Sequence, residues 1–251
     1  MSIILEHISK YFDNKIVLKD LNLTIEDGTV YSLIGKNGAG KTTLINILTD
    51  FIYPNFGEVK INGLSYDKHA SQIKKNIGLL SEGNSLIEDL TGEEYLNLIG
   101  RIYNLSKKEL SFRINSLLNF FFDENNIKNK LISKYSTGMK KKIEFCSAVL
   151  HKPNILILDE PFSGLDPFAA NKLIEFLKKY QNKQRIIFIS SHNLDYVAKV
   201  ATHIGILHNH TLIFNGKSSD FSKNGNDDLN KVFLEYINGS KIDLEVMDWA
   251  F

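Results

Sequence analysis

Val30-Tyr31-Ser32-Leu33-Ile34-Gly35-Lys36-Asn37-Gly38-Ala39-Gly40-Lys41-Thr42 joins a short apolar run to the pattern G-x-x-x-x-G-K-[ST], and Leu44, Ile47 and Leu48 follow at helical spacing. A strand, a glycine-rich loop and a helix in that order form the context in which such a loop holds phosphates. The glycines let the backbone wrap closely, so that N–H groups point inward at the start of a helix. Lys41 is expected to reach the β- and γ-phosphates of a nucleoside triphosphate, and the Thr42 hydroxyl to ligate Mg²⁺. The competing reading is a chance glycine-rich turn. The flanking strand and helix argue against it, as does an acidic motif downstream.

That motif is Ile155-Leu156-Ile157-Leu158-Asp159-Glu160-Pro161. Four apolar residues mark a buried strand, and two carboxylates fall at its C-terminal end, where open α/β sheets bind ligands. Asp159 suits Mg²⁺, directly or through water. Glu160 suits the orientation and deprotonation of an attacking water, because phosphoryl transfer mostly needs positioning and charge stabilisation. A solvated strand end is the plain alternative. Between the two motifs lies Tyr135-Ser136-Thr137-Gly138-Met139-Lys140-Lys141. Its Ser-x-Gly element can present a helix start, with free N–H groups and a positive dipole end, to a phosphate held by another subunit.

At 251 residues the chain fits one large domain or a core with an inserted subdomain. Hydrophobic residues at 43% and charged residues at 24% suit a soluble globular protein. The formal charge of +1 gives no global reason to expect nucleic acid or an anionic membrane as partner. The single cysteine, Cys146, excludes an internal disulfide framework and fits a reducing compartment. Ile143, Val149 and Leu150 surround it at helical spacing, so it reads as a small core residue. Glu6, His7 and Lys10 interrupt the apolar start, and no signal peptide is expected. No apolar run reaches the roughly 20 residues that span a bilayer. The chain reads as cytoplasmic.

Residues 2–8 and 15–34 alternate apolar and polar positions around the turn signals Asp13-Asn14 and Asp27-Gly28, as in an antiparallel sheet. Residues 57–63 add a hairpin strand. From about 88 to 150 the pattern is helical, with Leu96, Leu98, Ile99 and Ile102 in one helix and Leu110, Ile114, Leu117 and Leu118 in another. Parallel strands are expected at 155–158 and 186–190 with a helix over 169–179 between them. A hairpin over 204–214 turns at Asn209-His210, and Leu229, Val232, Phe233 and Tyr236 mark a last amphipathic helix. His208 and His210 flank that hairpin tip, and their spacing alone is weak evidence for metal. Lys140, Lys141 and Lys142, on the first turns of a helix, are expected to face solvent or a partner's nucleotide.

The loop at 35–42, Tyr135-Ser136-Thr137-Gly138-Met139, Ile155–Pro161, Ser163-Gly164-Leu165-Asp166-Pro167 and Ser190-Ser191-His192 stand in one order. Together they resemble the ATP-binding subunit of an ABC transporter, over about residues 3–238. The Met-Lys ending of the signature and the tail 228–235 look most like the ABC-2 class of exporters. The resemblance implies an α/β fold: a P-loop NTPase (RecA-like) core with an N-terminal antiparallel β-subdomain and an inserted α-helical subdomain. Residues 1–238 would form the ATP-binding domain, with the helical part inserted at about 88–150 and a tail of unknown role at 239–251.

The resemblance also implies a site and its partners. ATP would lie on Gly35, Lys36, Asn37, Gly38, Ala39, Gly40, Lys41, Thr42 and Thr43, with Tyr11 stacked on adenine. A tyrosine packed in the core is the alternative for Tyr11. Ser136 and Gly138 would complete the site of a second subunit, in a homodimer rather than a heterodimer. Lys41, Glu160 and His192 would act in hydrolysis, with His192 contacting the γ-phosphate, while Asp166 would sit on the loop that crosses the dimer interface. Mg²⁺ would rest on Thr42, Asp159 and Glu82. A separate transmembrane permease would dock near residues 82–100, holding the subunit on the inner face of the membrane. No nucleic acid is expected as partner.

Two departures from the family pattern stand out. Thr137 replaces a glycine of the usual signature, so that position is expected not to need a positive φ. Glu82 stands where a glutamine is common, and a carboxylate accepts hydrogen bonds without donating them. It is expected to touch Mg²⁺ or water only when two subunits close. The rival functions are a soluble ABC ATPase acting on ribosomes or nucleic acid, and a nucleotide-binding regulatory module without turnover.

Overall fold

The computed structural model describes residues 1–83, 86–122, 127–221 and 229–238. β1 (Ser2–Phe12) and β2 (Lys15–Glu26) form a long hairpin, and β3 (Val30–Ile34) leads into the glycine loop and α1 (Lys41–Leu48). β4 (Phe56–Ile61), β5 (Leu64–Ser65), α2 (Tyr66–Lys75) and β6 (Ile77–Leu80) follow. Three helices come next: α3 (Gly92–Ile102), α4 (Lys107–Phe121) and α5 (Thr137–Leu150). Then β7 (Ile155–Asp159), α6 (Pro167–Tyr180), β8 (Ile186–Ser191) and a single turn, α7 (Leu194–Val197), alternate. The hairpin β9 (His203–His208) and β10 (Thr211–Lys217) precedes α8 (Ser218–Phe221) and α9 (Leu229–Asn238).

The strands divide into two sheets, ordered β2-β1-β4-β5 and β10-β9-β3-β8-β7-β6. The first is antiparallel throughout. In the second, β9, β3, β8, β7 and β6 run parallel, and β10 adds an antiparallel edge. Val30–Ile34 therefore leaves the antiparallel pattern read across residues 15–34 and sits inside the parallel sheet. Its five residues are all buried, as are those of β7 and the six of β8, which is what covering a sheet on both faces requires.

One apolar cluster, with Leu5, Leu23, Ile45, Ile61, Ile157 and Phe188, lies where the antiparallel sheet and α1 meet the parallel sheet. A second joins the opposite face to the helical layer through Leu96, Ile114, Phe145, Leu156 and Leu173. Cys146 is fully buried in that second cluster, as its neighbours indicated. Val232 and Phe233 of α9 pack on a third, and Tyr236 stacks on Phe221. α2 and β6 have little signature in the sequence. α2 has one buried residue, Ile73, and non-helical backbone at His69, so its periodicity is faint. β6 is only four residues long, and pairing with β7 makes it a strand. The tail 239–251 lies outside the described residues.

Candidate active site

The glycine loop follows β3, and Gly40, at φ 108°, supplies the left-handed turn from which α1 starts. Lys41 is 6% exposed and folds back on this loop, donating to the Gly35 carbonyl at 2.8 Å. Asn37, Gly38, Gly40, Lys41, Thr42 and Thr43 line a cleft of about 900 Å³. Glu82, Glu160, Ser163 and His192 also line it, as do Phe12, Asp13, Asn14, Lys15 and Val17 of the first hairpin. Gly35, Lys36 and Ala39 stand outside this lining: Gly35 is buried, Lys36 is exposed and Ala39 packs on the apolar cluster below.

The acidic motif reaches the same cleft. Lys41 Nζ lies 3.3 Å from Glu160 Oε1, and His192 Nδ1 lies 2.9 Å from Glu160 Oε2. A carboxylate only accepts, so the imidazole proton of that contact belongs on Nδ1. Glu160 has φ 45°, a left-handed conformation that costs a non-glycine residue about 1–3 kcal/mol. Its N–H is held by Ser190, through the carbonyl at 3.2 Å and the hydroxyl at 3.0 Å.

Asp159 is 1% exposed, and burial pushes its carboxyl above the ordinary aspartate range, while the Ser190 and Thr42 hydroxyls oppose that rise. The Ser190 hydroxyl donates to Asp159 Oδ1, and Oδ2 has no hydrogen-bond partner. Thr42 Oγ1 donates to Glu82 Oε2 at 3.0 Å. Glu82 thus reaches the cleft within one chain. No cluster of three or more His, Cys, Asp or Glu side chains suited to a metal occurs among the described residues. An unpartnered buried carboxylate oxygen beside a threonine hydroxyl nevertheless fits a hard cation whose remaining ligands are phosphate oxygens and water.

Tyr11 does not line the cleft. It packs edge-on against Phe56, ring centroids 6.4 Å apart, and the cleft aromatic is its neighbour Phe12, which is 47% exposed. Successive strand residues face opposite sides, and the β1–β2 register shifts three times between Leu5 and Tyr11. Each shift breaks the two-residue count that would assign the face from sequence. Phe12, its hairpin and Ser163 are the lining residues that sequence reasoning missed.

Ser136 caps α5, accepting from the Met139 N–H at 3.3 Å, and is exposed away from the cleft lining. Thr137 is helical and lacks a positive φ, as expected. A Cβ at Gly138 would stand 3.0 Å from the Gly164 carbonyl oxygen, and Gly164, at φ 75°, would bring its own Cβ within 3.1 Å of Thr137 Cγ2. The α5 start and the loop leaving β7 are thus in close contact. Asp166, on that loop, caps α6 through the Ala169 N–H at 2.9 Å, a bond that holds its carboxyl below the ordinary range.

The three lysines of α5 are engaged inside the chain rather than free at its surface. Lys140 pairs with Glu88 at 2.5 Å, Lys141 donates to the Asp159 carbonyl at 3.4 Å and Lys142 to the Phe121 carbonyl at 3.1 Å. Burial lowers the proton affinity of Lys141, against the pull of Glu144, Asp159, Glu82 and Glu160.

Comparison with known proteins agrees with this geometry. Residues 18–163 match the family described as ABC transporter. The chain is 32% identical over 230 residues to the ABC transporter ATP-binding protein NatA of Bacillus subtilis (strain 168), covering 90% of this chain and 93% of NatA. It is 29% identical to the bacitracin transport ATP-binding protein BcrA of Enterococcus faecalis, over 98% of this chain and 78% of BcrA. A solved ATP-binding subunit of an ABC transporter superposes with TM-score 0.84 at 29% identity, over 94% of this chain and 99% of that one. A dimeric bacterial ABC transporter cassette superposes with TM-score 0.77 at 25% identity, over 86% and 98%. The chain belongs to the ABC transporter family, as an ATP-binding and ATP-hydrolysing subunit.

Proposed function

We propose that this subunit closes head to tail with a second ATP-binding subunit around two ATP–Mg²⁺ complexes, and that closure drives a separate membrane permease of the ABC-2 exporter class. The observation that carries this reading is a division of labour. Lys41, Glu160 and His192 meet in one cleft, while Ser136 and Gly138, at the start of α5, stand outside its lining. A phosphate held in the cleft would need the second half from another chain. The dimeric state of the similar cassette supports the same arrangement.

Entering phosphates would draw Lys41 from Glu160, because the ammonium is better matched to their higher charge. Glu160 would then orient and deprotonate the attacking water, with His192 holding its other oxygen. Thr42 and Asp159 would hold Mg²⁺, with Glu82 alongside, and the ion would neutralise charge on the phosphates. Phe12, rather than Tyr11, would stack on the base. The cassette would span residues 1–238. Ile87, Leu98 and Ile102, exposed at 45%, 38% and 64%, support permease docking near residues 82–100. No helix among the described residues is long and apolar enough to cross a membrane, so the membrane path would belong to that permease. The names of NatA and BcrA, an ABC transporter ATP-binding protein and a bacitracin transport protein, favour transport over ribosome or nucleic-acid work.

Glu160→Gln tests the reading. Phosphate release should fall about 100- to 10,000-fold, in line with loss of a general base, and gel filtration with ATP and Mg²⁺ should show an accumulating dimer. A variant that stays monomeric both alone and with its permease, or that hydrolyses ATP normally, would overturn it.

A further inference from the structure

We infer that Ser190 is a positioning residue for both catalytic-strand carboxylates, fixing Asp159 toward Mg²⁺ and Glu160 toward water. The inference rests on the proposed role of Asp159 as the chain's carboxylate ligand to the ion. Ser190 lies opposite Asp159 in the β7–β8 ladder and is fully buried. Paired residues of neighbouring strands project to the same face, so the hydroxyl meets the carboxylate directly.

A serine hydroxyl has one proton to give and lone pairs to accept. Here both capacities are used. The proton goes to Asp159 Oδ1, and the oxygen accepts from the Glu160 N–H at 3.0 Å. The first bond turns the carboxylate so that Oδ2, its unpartnered buried oxygen, is the one left for a cation. The second, with the Ser190 carbonyl at 3.2 Å, retains the left-handed turn at Glu160. That turn brings the Glu160 carboxylate between Lys41 and His192. Neither carboxylate is placed by its own strand alone. Both depend on a neutral side chain that never touches substrate.

Groups that orient metal ligands typically contribute about 10- to 100-fold in metal affinity or activity. Ser190→Ala should therefore weaken Mg²⁺-dependent binding of a fluorescent ATP analogue by about 10-fold or more, while binding in EDTA changes less than about twofold. In steady-state hydrolysis kcat should fall by about 10- to 100-fold with a smaller change in KM. Ser190→Thr, which keeps the hydroxyl, should restore Mg²⁺-dependent binding. Should Ser190→Ala fail to fold, Ser190→Cys keeps the size with a weaker donor and should show the same selective loss. A folded variant with unchanged Mg²⁺ dependence, or with equal losses in Mg²⁺ and in EDTA, would overturn the inference. Asp159→Asn separates this from failure of the metal-site reading. If it too leaves Mg²⁺ dependence intact, the metal assignment of Asp159 falls. If it abolishes that dependence while Ser190→Ala does not, only the role of Ser190 falls.

Discussion

The ends of β7 and β8 and the start of α5 are both assigned to ATP in the proposed function, yet they are built on opposite terms. At the strand ends two buried carboxylates find partners within the chain: Glu160 meets Lys41 and His192, and Asp159 Oδ1 meets Ser190, with only Asp159 Oδ2 left over. At the α5 start, Ser136 is exposed and its cap serves only its own helix. A self-satisfied charge cluster has to be opened by its substrate. An open helix terminus waits for one, because its first N–H groups have no partner within the helix. On the proposed reading, the contrast is how a chain would hold its hydrolytic side chains in one place and still need a second chain to complete the site.

The largest test of that contrast is complementation. Ser136→Ala should leave nucleotide binding to the isolated chain unchanged, while assembled ATPase activity falls about 100- to 1,000-fold, as for other lost transition-state donors. Mixed with Lys41→Ala, it should recover part of that activity, since one composite site then carries neither substitution. Normal activity in the single variant, or no recovery in the mixture, would erase the distinction between the two regions. The cap itself is worth about 1 kcal/mol, so a modest fall in Tm should accompany the variant.

A smaller effect locates the base-binding wall. Phe12→Ala should weaken ATP binding by roughly 1–3 kcal/mol, the usual range for a ring stacked on a base. Tyr11→Ala should leave affinity nearly intact and lower stability instead, through lost contact with Phe56. Isothermal titration of both variants decides it, and the reverse ranking would return the role to Tyr11.

The smallest effect lies behind the site. His151, stacked on Tyr103 at 3.6 Å and bonded to the Ile77 carbonyl, is lowered by burial to about 4. Unfolding lets it take up a proton between that value and its ordinary 6.5. Its contribution is therefore fully present above pH 6.5 and is lost as pH falls toward 4. The Tm of the wild type should drop more over that window than the Tm of His151→Gln. Equal slopes would show that His151 takes up its proton in the fold as readily as in the unfolded chain.

What was legible in the sequence followed from local chemistry. The phosphate loop announces itself through glycines, a lysine and a threonine at fixed spacing, and Asp159 through the apolar run before it. Fully buried strands and the signature's Ser-x-Gly were equally visible. What stayed hidden depended on distant partners. Phe12 faces the cleft because strand bulges alter the parity of β1. The lysines 140–142 look solvent-bound until Glu88, Asp159 and Phe121 arrive from elsewhere in the chain. Glu82 carries no local sign that Thr42 will donate to it. Local pattern reports what a residue can do, and tertiary register decides where it does it.

The contact of Gly138 with Gly164 has a consequence for how such a machine could keep time. Two residues without side chains meet where the α5 start touches the loop leaving the catalytic strand. The only side chain close to Gly164 there is that of Thr137, short and branched, so little at this contact can absorb a displacement. Whatever a partner's nucleotide does to the helix start would be felt at once beside the chain's own carboxylates. In a closed pair each chain would then behave as a short, stiff rocker, reporting the state of one ATP to the chemistry of the other.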